Sequence, residues 1–345
     1  MEKRILIRRW LGPDAQAIPI YDEASVSSAR QRVREAGQRA GVSNQIIETV
    51  ALIASELTHN HLAHAKQGYF SVAPVDRNGI KGLQVVAADL GPGIDKPGTV
   101  IRDRPATADG SLGAGLAGVC RLADEVEFDN RLSEGVFIVA RKFENAADAI
   151  CEVAIMSKPY PGEPMSGDDA AVIRTEDGFL AAVADGLGHG LEAREASNRA
   201  MEITSRIMQT GLDQIAINLN TELSGTRGCA MSLMRFNRKD ATLEYVSAGD
   251  VHAHVYHLRD AYFFTPTPLV LGTGPIRPQR IRVERTSVKP NSVLVIFTDG
   301  LKSKTTLKGE LDMLRQPTIA IAEHLLESHS RPDDDALVCV IRLAR

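Results

Sequence analysis

The chain has 345 residues, is 43% hydrophobic and 24% charged, and carries a formal net charge of −4. That is enough apolar material for two cored domains, and the slight acidity excludes a general basic field for nucleic acid or an anionic membrane surface. Cys120, Cys151, Cys229 and Cys339 form no Cys-x-x-Cys pair, which points to buried thiols in a reducing cytoplasm rather than a disulfide frame or zinc site. No signal peptide is expected, and no apolar run approaches the ~20 residues of a membrane helix.

A short strand is expected at 3–8, where Lys3, Arg4 and Arg8 flank three aliphatic residues. Helical spacing of Ala24, Val26, Ala29, Val33 and Ala36 predicts a helix over 22–41, with Gly41 as its stop. Ser43 is a candidate N-cap for a second helix reaching about Lys66, with Ile46, Ile47, Val50, Ile53, Ala54 and Leu57 as its buried face. Strands follow at 68–75 and 82–89. After a Gly/Pro-rich stretch come a helix ending near Asp124 and strands at 125–130 and 135–142. The pattern is a two-layer α/β sandwich. Residues 144–149 read as a polar hinge. Beyond them, strands at 150–157, 169–174, 179–184, 229–236, 241–247, 251–257, 281–288, 292–298 and 336–343 surround helices at 190–210 and 212–223, and a last helix is expected at 315–328. The fold class is α+β: residues 1–143 form the sandwich, and 150–345 form a β-sandwich flanked by helices.

In the first half, Glu56 and Asn60 are four residues apart and share one helix face. An Asn amide oxygen can ligate Mg²⁺ and a Glu can accept a proton. Asp89 ends an apolar strand and is followed by Gly91 and Gly93, an arrangement able to meet an adenine amino group. Gly113, Gly115 and Gly118 then open a helix, and free N–H groups at such a start suit phosphate. Each piece alone is ordinarily a solvated face or a turn, and the glycine pattern lacks the βαβ setting of a dinucleotide fold; their order carries the signal.

That order, in Ala54-Ser-Glu-Leu-Thr-His-Asn60, Asp89-Leu-Gly-Pro-Gly-Ile94 and Leu112-Gly-Ala-Gly-Leu-Ala-Gly118, resembles the GHKL ATPase family, in its branch of small RsbT-like anti-sigma serine kinases. The resemblance covers nearly all of 1–143 and implies a Bergerat-type fold binding ATP with Mg²⁺. It implies Glu56 as general base and Asn60 as Mg²⁺ ligand. Asp89 would read adenine with Gly91 and Gly93 along the base, and Gly113, Gly115 and Gly118 would cradle phosphates. Segment 95–112 would be a lid, with Arg102 or Arg104 reaching the γ-phosphate. Glu134-Gly-Val136 departs from the branch's Gly-Thr and removes one adenine-side hydroxyl. A nucleotide-sensing module without turnover is therefore the alternative to a kinase.

In the second half, Asp185 and Asp299 each end an apolar run, and Asp168 and Asp334 lie in Ser-Gly-Asp-Asp and Pro-Asp-Asp-Asp. Carboxylates delivered to one end of a sheet make a hard-metal site. The motifs Gly167-Asp168, Ala184-Asp-Gly-Leu-Gly-His-Gly190, Ser247-Ala-Gly-Asp250, Asp299-Gly300 and Asp333-Asp-Asp335 resemble the PPM/PP2C phosphatases in their SpoIIE/RsbX branch, over about 150–345. The resemblance implies two Mn²⁺ or Mg²⁺ ions on Asp168, Asp185, Asp299, Asp334 and the Gly186 carbonyl, with Asp168 and Asp185 central to catalysis. Asp333 or Asp335 could replace Asp334.

His189 reads more simply as a loop histidine than as a general acid. His59, His61 and His64, and equally His252, His254 and His257, are expected on solvated or domain-contacting faces. The two resemblances together imply a cytoplasmic signalling protein that phosphorylates and dephosphorylates a STAS-domain phosphoprotein of the anti-sigma-antagonist or stressosome type. They imply no nucleic-acid or membrane partner. A homodimer stays open, since no heptad run enforces one. Opposed activities on one chain predict conformational control between them.

Overall fold

The computed structural model describes residues 17–65, 67–77, 80–94, 115–131, 135–144, 151–163, 165–175 and 177–344. The chain divides into two compact units, Met1–Ala149 and Ile150–Arg345. The strand expected at 3–8, the lid segment with Arg102 and Arg104, Gly113, and hinge positions 145–149 lie outside the described residues.

The first unit runs β1 (Ile18–Ile20), α1 (Glu23–Ala40), α2 (Asn44–Asn60), β2 (Gly68–Arg77), β3 (Ile80–Asp89), α3 (Leu116–Leu122), β4 (Glu125–Arg131) and β5 (Gly135–Phe143). Its strands form an antiparallel series in the order β1-β2-β3-β5-β4. Helix α1 starts at a capping box: Asp22 Oδ1 accepts from Ser25 N at 2.8 Å while Ser25 Oγ accepts from Asp22 N at 3.1 Å. It stops at Gly41, whose φ of 67° suits a residue without Cβ. Helix α2 buries the whole expected stripe, Ile46 through Leu57, against the sheet. The Glu144 carboxylate accepts from Ser43 Oγ at 2.9 Å and so secures the start of α2.

Helix α2 differs from expectation at its end. The α-helical ladder stops at Asn60, and His61–Ala65 forms a π-helical turn. The wider turn changes the angular step between residues. His61 is buried in it at 3% exposure, which corrects the solvated or domain-contacting face expected for this histidine. His59 stays exposed, with Nε2 3.3 Å from Glu23 Oε2.

The second unit runs β6 (Cys151–Lys158), β7 (Asp169–Thr175), β8 (Gly178–Gly186), α4 (Gly190–Ile207), α5 (Leu212–Glu222), β9 (Cys229–Asn237), β10 (Thr242–Ala248), β11 (His252–His257), β12 (Asp260–Phe263), β13 (Glu284–Ser287), β14 (Val293–Phe297), α6 (Leu311–Leu314), α7 (Thr318–His329) and β15 (Ala336–Leu343). Two antiparallel series, β6-β15-β14-β11-β12 and β13-β10-β9-β8-β7, face each other. In β8, Phe179, Ala181 and Val183 point into the sandwich with Cys339 and Ile341 of β15. Alternate residues Leu180, Ala182 and Ala184 pack on Ala200 and Ile203 of α4 and Ile215 and Leu219 of α5. The strand is covered on both faces, hence its unbroken apolar sequence. Helix α7 covers β6 and β15.

The last helix starts at Thr318 rather than 315, because Pro317 occupies its N-cap and disfavours helical backbone in the residue before it. The strands β1 and β12 were not expected. His254 is 6% exposed, edge-on to Phe263 and Phe297, with Nδ1 2.9 Å from Tyr256 Oη, so it is a core histidine rather than part of a solvated face.

Candidate functional site

The four aspartates of the second unit meet where strands from both sheets end. Asp168 enters β7 and Asp185 ends β8, strands paired with Asp169 opposite Ala184. Asp299 lies just past β14 and Asp334 just before β15, strands paired with Phe297 opposite Val338. The two sheets are tied at this point by Thr298, whose Oγ1 donates to Asp168 Oδ2 at 2.8 Å and accepts from Leu337 N at 2.9 Å.

Glycines allow the acidic loops to touch. A Cβ on Gly300 would fall 1.7 Å from Asp335 O, and one on Gly186 would fall 2.0 Å from Ala193 O at the start of α4. The Asp-Gly pairs thus let one acidic loop lie against the next and α4 lie against the loop after β8. The triple aspartate is divided by its surroundings. Asp333 is exposed. Asp335 is buried and accepts from Tyr160 N at 2.7 Å. Asp334 is half-buried and exchanges repulsion with Asp185 and Asp299.

Burial is the main force on each carboxyl, and like charge adds to it. Asp168 is pushed well above the usual carboxylate range by burial and then by Asp185, opposed by the Thr298 hydroxyl. Asp185 is pushed up to about 8 by burial, then by Asp299 and Asp334. Asp299 is raised by burial and by Asp334 and Asp250, while the Arg331 guanidinium opposes the rise. Asp334 is raised chiefly by burial. One buried and three half-buried carboxylates repelling one another require protons or hard cations among them, and their chemistry fits Mg²⁺ or Mn²⁺. Among the described residues no three such groups converge at metal-ligand spacing. The aspartates are gathered rather than closed into a shell.

Sequence reasoning missed the flanking groups apart from His189. Thr298 carries no motif signal beyond its place before Asp299. Arg194 on α4 donates to the Asp168 carbonyl and lies 3.2 Å from Asp169 Oδ1. His189, at the N-cap of α4, stacks on Tyr160 with centroids 4.1 Å apart and places Nδ1 2.8 Å from Glu163 Oε1. Glu163 and Tyr160 lie in a segment with no periodicity to mark them.

In the first unit a cavity of about 420 Å³ is lined by Asn60, His61, Asp89, Gly93, Gly115 and Val136 among others. Asp89 Oδ1 accepts from Gly91 N at 2.8 Å, and burial raises its pKa against that bond and one from Val136 N. A Cβ on Gly91 would stand 2.8 Å from Ala65 Cβ, so the π turn packs directly on this glycine. Glu56 Oε2 accepts from Gly115 N at 2.9 Å, and burial is the largest influence raising its pKa. Gly115 has a φ of 62° and starts α3. Gly118 is buried in the first turn of α3, its N–H donated to Gly115 O at 2.9 Å, and does not line the cavity. Glu56, Asn60, Asp89, Gly91, Gly93 and Gly115 are therefore brought together, and Gly118 supports the helix behind them.

Residues 21–142 match the model of the histidine kinase-like ATPase domain, and residues 175–344 match that of stage II sporulation protein E. The chain is 35% identical over 130 residues to the serine/threonine-protein kinase RsbT of Bacillus subtilis (strain 168), spanning 38% of this chain and 97% of RsbT. It is 26% identical over 140 residues to the phosphoserine phosphatase RsbX of the same organism, spanning 41% of this chain and 69% of RsbX. A solved structure from work on the bacterial stressosome superposes with a TM-score of 0.52 at 29% identity, over 56% of this chain and 99% of the other.

Proposed function

We propose a two-way phosphoryl switch for this chain, which belongs through its first half to the RsbT-like members of the histidine kinase-like ATPase family and carries a SpoIIE-type PP2C protein serine/threonine phosphatase domain in its second. The domain limits are taken as 1–143 and 150–345, joined through 144–149.

For the phosphatase, Asp168, Asp185, Asp299, Asp334 and the Gly186 carbonyl are read as the holders of two Mg²⁺ or Mn²⁺ ions. Such ions supply an activated water for in-line attack on phosphoserine or phosphothreonine. The chain's own part is positional: Thr298 fixes the Asp168 carboxylate, and Gly186 and Gly300 let the loops close. The observation that carries the reading is the mutually repelling carboxylate set at one end of both sheets, with Asp168 buried and Asp185, Asp299 and Asp334 half-buried.

For the first unit, ATP with Mg²⁺ occupies the cavity, with Asn60 on the metal and Asp89 on the adenine amino group. Glu56 takes the proton of a partner's hydroxyl. The partner is read as a STAS-domain phosphoprotein of the anti-sigma-antagonist or stressosome type, a reading supported by the likeness to RsbT and to a stressosome structure. A cytoplasmic location is supported by four cysteines outside any disulfide, Cys151, Cys229 and Cys339 buried as expected and Cys120 half-buried instead. No helix among the described residues is long and apolar enough to cross a membrane.

The test is Mn²⁺-dependent hydrolysis of p-nitrophenyl phosphate by the full chain beside Asp185→Asn and Asn60→Ala. Loss in the first and retention in the second supports a phosphatase independent of the nucleotide site. Absence of both hydrolysis and calorimetric metal binding overturns it. A nucleotide-sensing first unit without turnover is the second reading, favoured by the apolar Val136 in the cavity wall. Stoichiometric ATP binding without transfer to a STAS-domain protein distinguishes it.

A further inference from the structure

The π turn after Asn60 places a histidine where the nucleotide reading has no use for one. His61 is 3% exposed, and the polar group facing it across the cavity floor is the Asp89 carboxylate, with Nε2 3.8 Å from Oδ2. The ring has its place because the strand beneath it lacks a side chain. A Cβ on Gly68 would stand 2.1 Å from His61 Nδ1, and Gly68 is the register partner of Asp89 in the β2–β3 ladder. Nδ1 is buried without a hydrogen-bond partner. The imidazole is therefore wedged over Gly68 with Nε2 as its edge toward Asp89.

Asp89 accepts from two backbone N–H groups, those of Gly91 and Val136, and still presents Oδ2 to His61. Oδ1 is held by Gly91 N at 2.8 Å. Oδ2 faces His61. An ionised Asp89 is an acceptor only, which suits the amino group at position 6 of adenine and repels the carbonyl oxygen at position 6 of hypoxanthine or guanine. A protonated Asp89 would carry a donor and tolerate the carbonyl. Burial in an apolar cavity favours the protonated form. An N–H brought to Oδ2 favours the ionised form and fixes its orientation.

We infer that His61 is a positioning residue that donates Nε2–H to Asp89 and thereby sets the cavity's preference for 6-aminopurine over 6-oxopurine nucleotides. This rests on the nucleotide reading of the cavity. His61 touches neither base nor phosphate in this role. It acts through the carboxylate, and the hydrogen bond requires Nε2 and Oδ2 to come closer than the 3.8 Å at which they stand.

The experiment is equilibrium binding of ATP and inosine triphosphate to the full chain, with Mg²⁺, for wild type, His61→Leu, His61→Gln and Gly68→Ala. Wild type is expected to prefer ATP. His61→Leu keeps bulk but removes the donor, and the ATP-to-inosine-triphosphate affinity ratio is expected to fall about tenfold or more. Gly68→Ala pushes the ring off Asp89 without removing it and is expected to lose the ratio likewise. His61→Gln restores an N–H donor and is expected to keep the ratio within about threefold of wild type. A ratio unchanged in both His61→Leu and Gly68→Ala overturns the inference. So does a parallel loss of both nucleotides in His61→Leu and His61→Gln, since that describes packing alone. Where His61→Leu fails to fold, the ratios of His61→Gln and Gly68→Ala decide. A wild-type chain that binds neither nucleotide overturns the nucleotide reading itself, and this inference with it.

Discussion

Thr298 and Asp168 lie 130 positions apart in sequence, yet one hydroxyl donates to the carboxylate at 2.8 Å while accepting the N–H of Leu337. Both residues are buried, so neither bond is shared with water. Thr298→Val keeps the shape and removes the hydroxyl, leaving Asp168 Oδ2 and Leu337 N without it. Each orphaned group costs about 1–3 kcal/mol, and a freed ligand carboxylate weakens metal binding by about 10–100-fold. The expected outcome is a lowered urea midpoint together with weaker Mn²⁺ binding by calorimetry, both recovered in Thr298→Ser. Full metal affinity in Thr298→Val would show that Asp168 is held by other means.

Gly300→Ala tests the contact between the acidic loops. Its Cβ would lie 1.7 Å from Asp335 O, which is backbone and has no rotamer to escape into. The loops bearing Asp299 and Asp334 must then separate. Overpacking of this kind costs about 1–3 kcal/mol. A displacement near 1 Å at reacting groups costs about 100-fold in rate. Hydrolysis of a phosphoserine peptide is expected to fall by that order while ATP binding is unchanged. Unaltered turnover would mean the loop contact has no part in the site.

Much of this architecture was legible in the sequence, because it depends on local pattern. The stop of α1 at Gly41, the stripe of α2 and the two-faced apolar run of β8 are near-neighbour features, and each recurs in the fold. The rest depends on contacts between distant segments. His61 follows Leu57 by four residues and Ala54 by seven, so the stripe of α2 runs onto it; what the sequence did not show is Gly68 of β2 lying against its ring. Three successive aspartates look alike in sequence. Only the hydrogen bond from Tyr160 N to Asp335 and the approach of Asp299 to Asp334 separate them. Thr298 had no signal at all, since its partners come from β7 and β15.

On the proposed two-metal reading, metal and protons compete for the carboxylate set. Asp185 is pushed up to about 8 and Asp168, Asp299 and Asp334 are raised as well, chiefly by burial. An unfolded Asp titrates near 3.9. Between about pH 4 and 8 the native state therefore holds more protons than the unfolded one, and stability falls as pH rises through that window. In EDTA the thermal midpoint is expected to drop by roughly 5–10 °C from pH 5 to pH 8. Saturating Mn²⁺ should flatten the slope, because cations replace the protons and bind more tightly as pH rises. Asp185→Asn should flatten it without metal. A midpoint in EDTA that does not fall would sink the picture of a repelling cluster.

Glu56 offers the corresponding test in the first unit. Its carboxylate accepts from Gly115 N at 2.9 Å, the N–H that opens α3 at the cavity. A phosphate seated on that helix start competes for the same N–H, so nucleotide binding frees the carboxylate to receive a proton. Burial raises its pKa, and a base works only when ionised. Phosphotransfer to a STAS-domain protein is therefore expected to rise with pH through that raised value and then level off. Glu56→Gln keeps an oxygen for Gly115 but cannot take a proton, so ATP affinity should hold within about threefold while transfer falls by about 100-fold or more. Radiolabel transfer from ATP, beside calorimetric ATP binding, separates the two quantities. Undiminished transfer in Glu56→Gln would remove the base assignment, whereas transfer absent from wild type as well would favour the nucleotide-sensing reading.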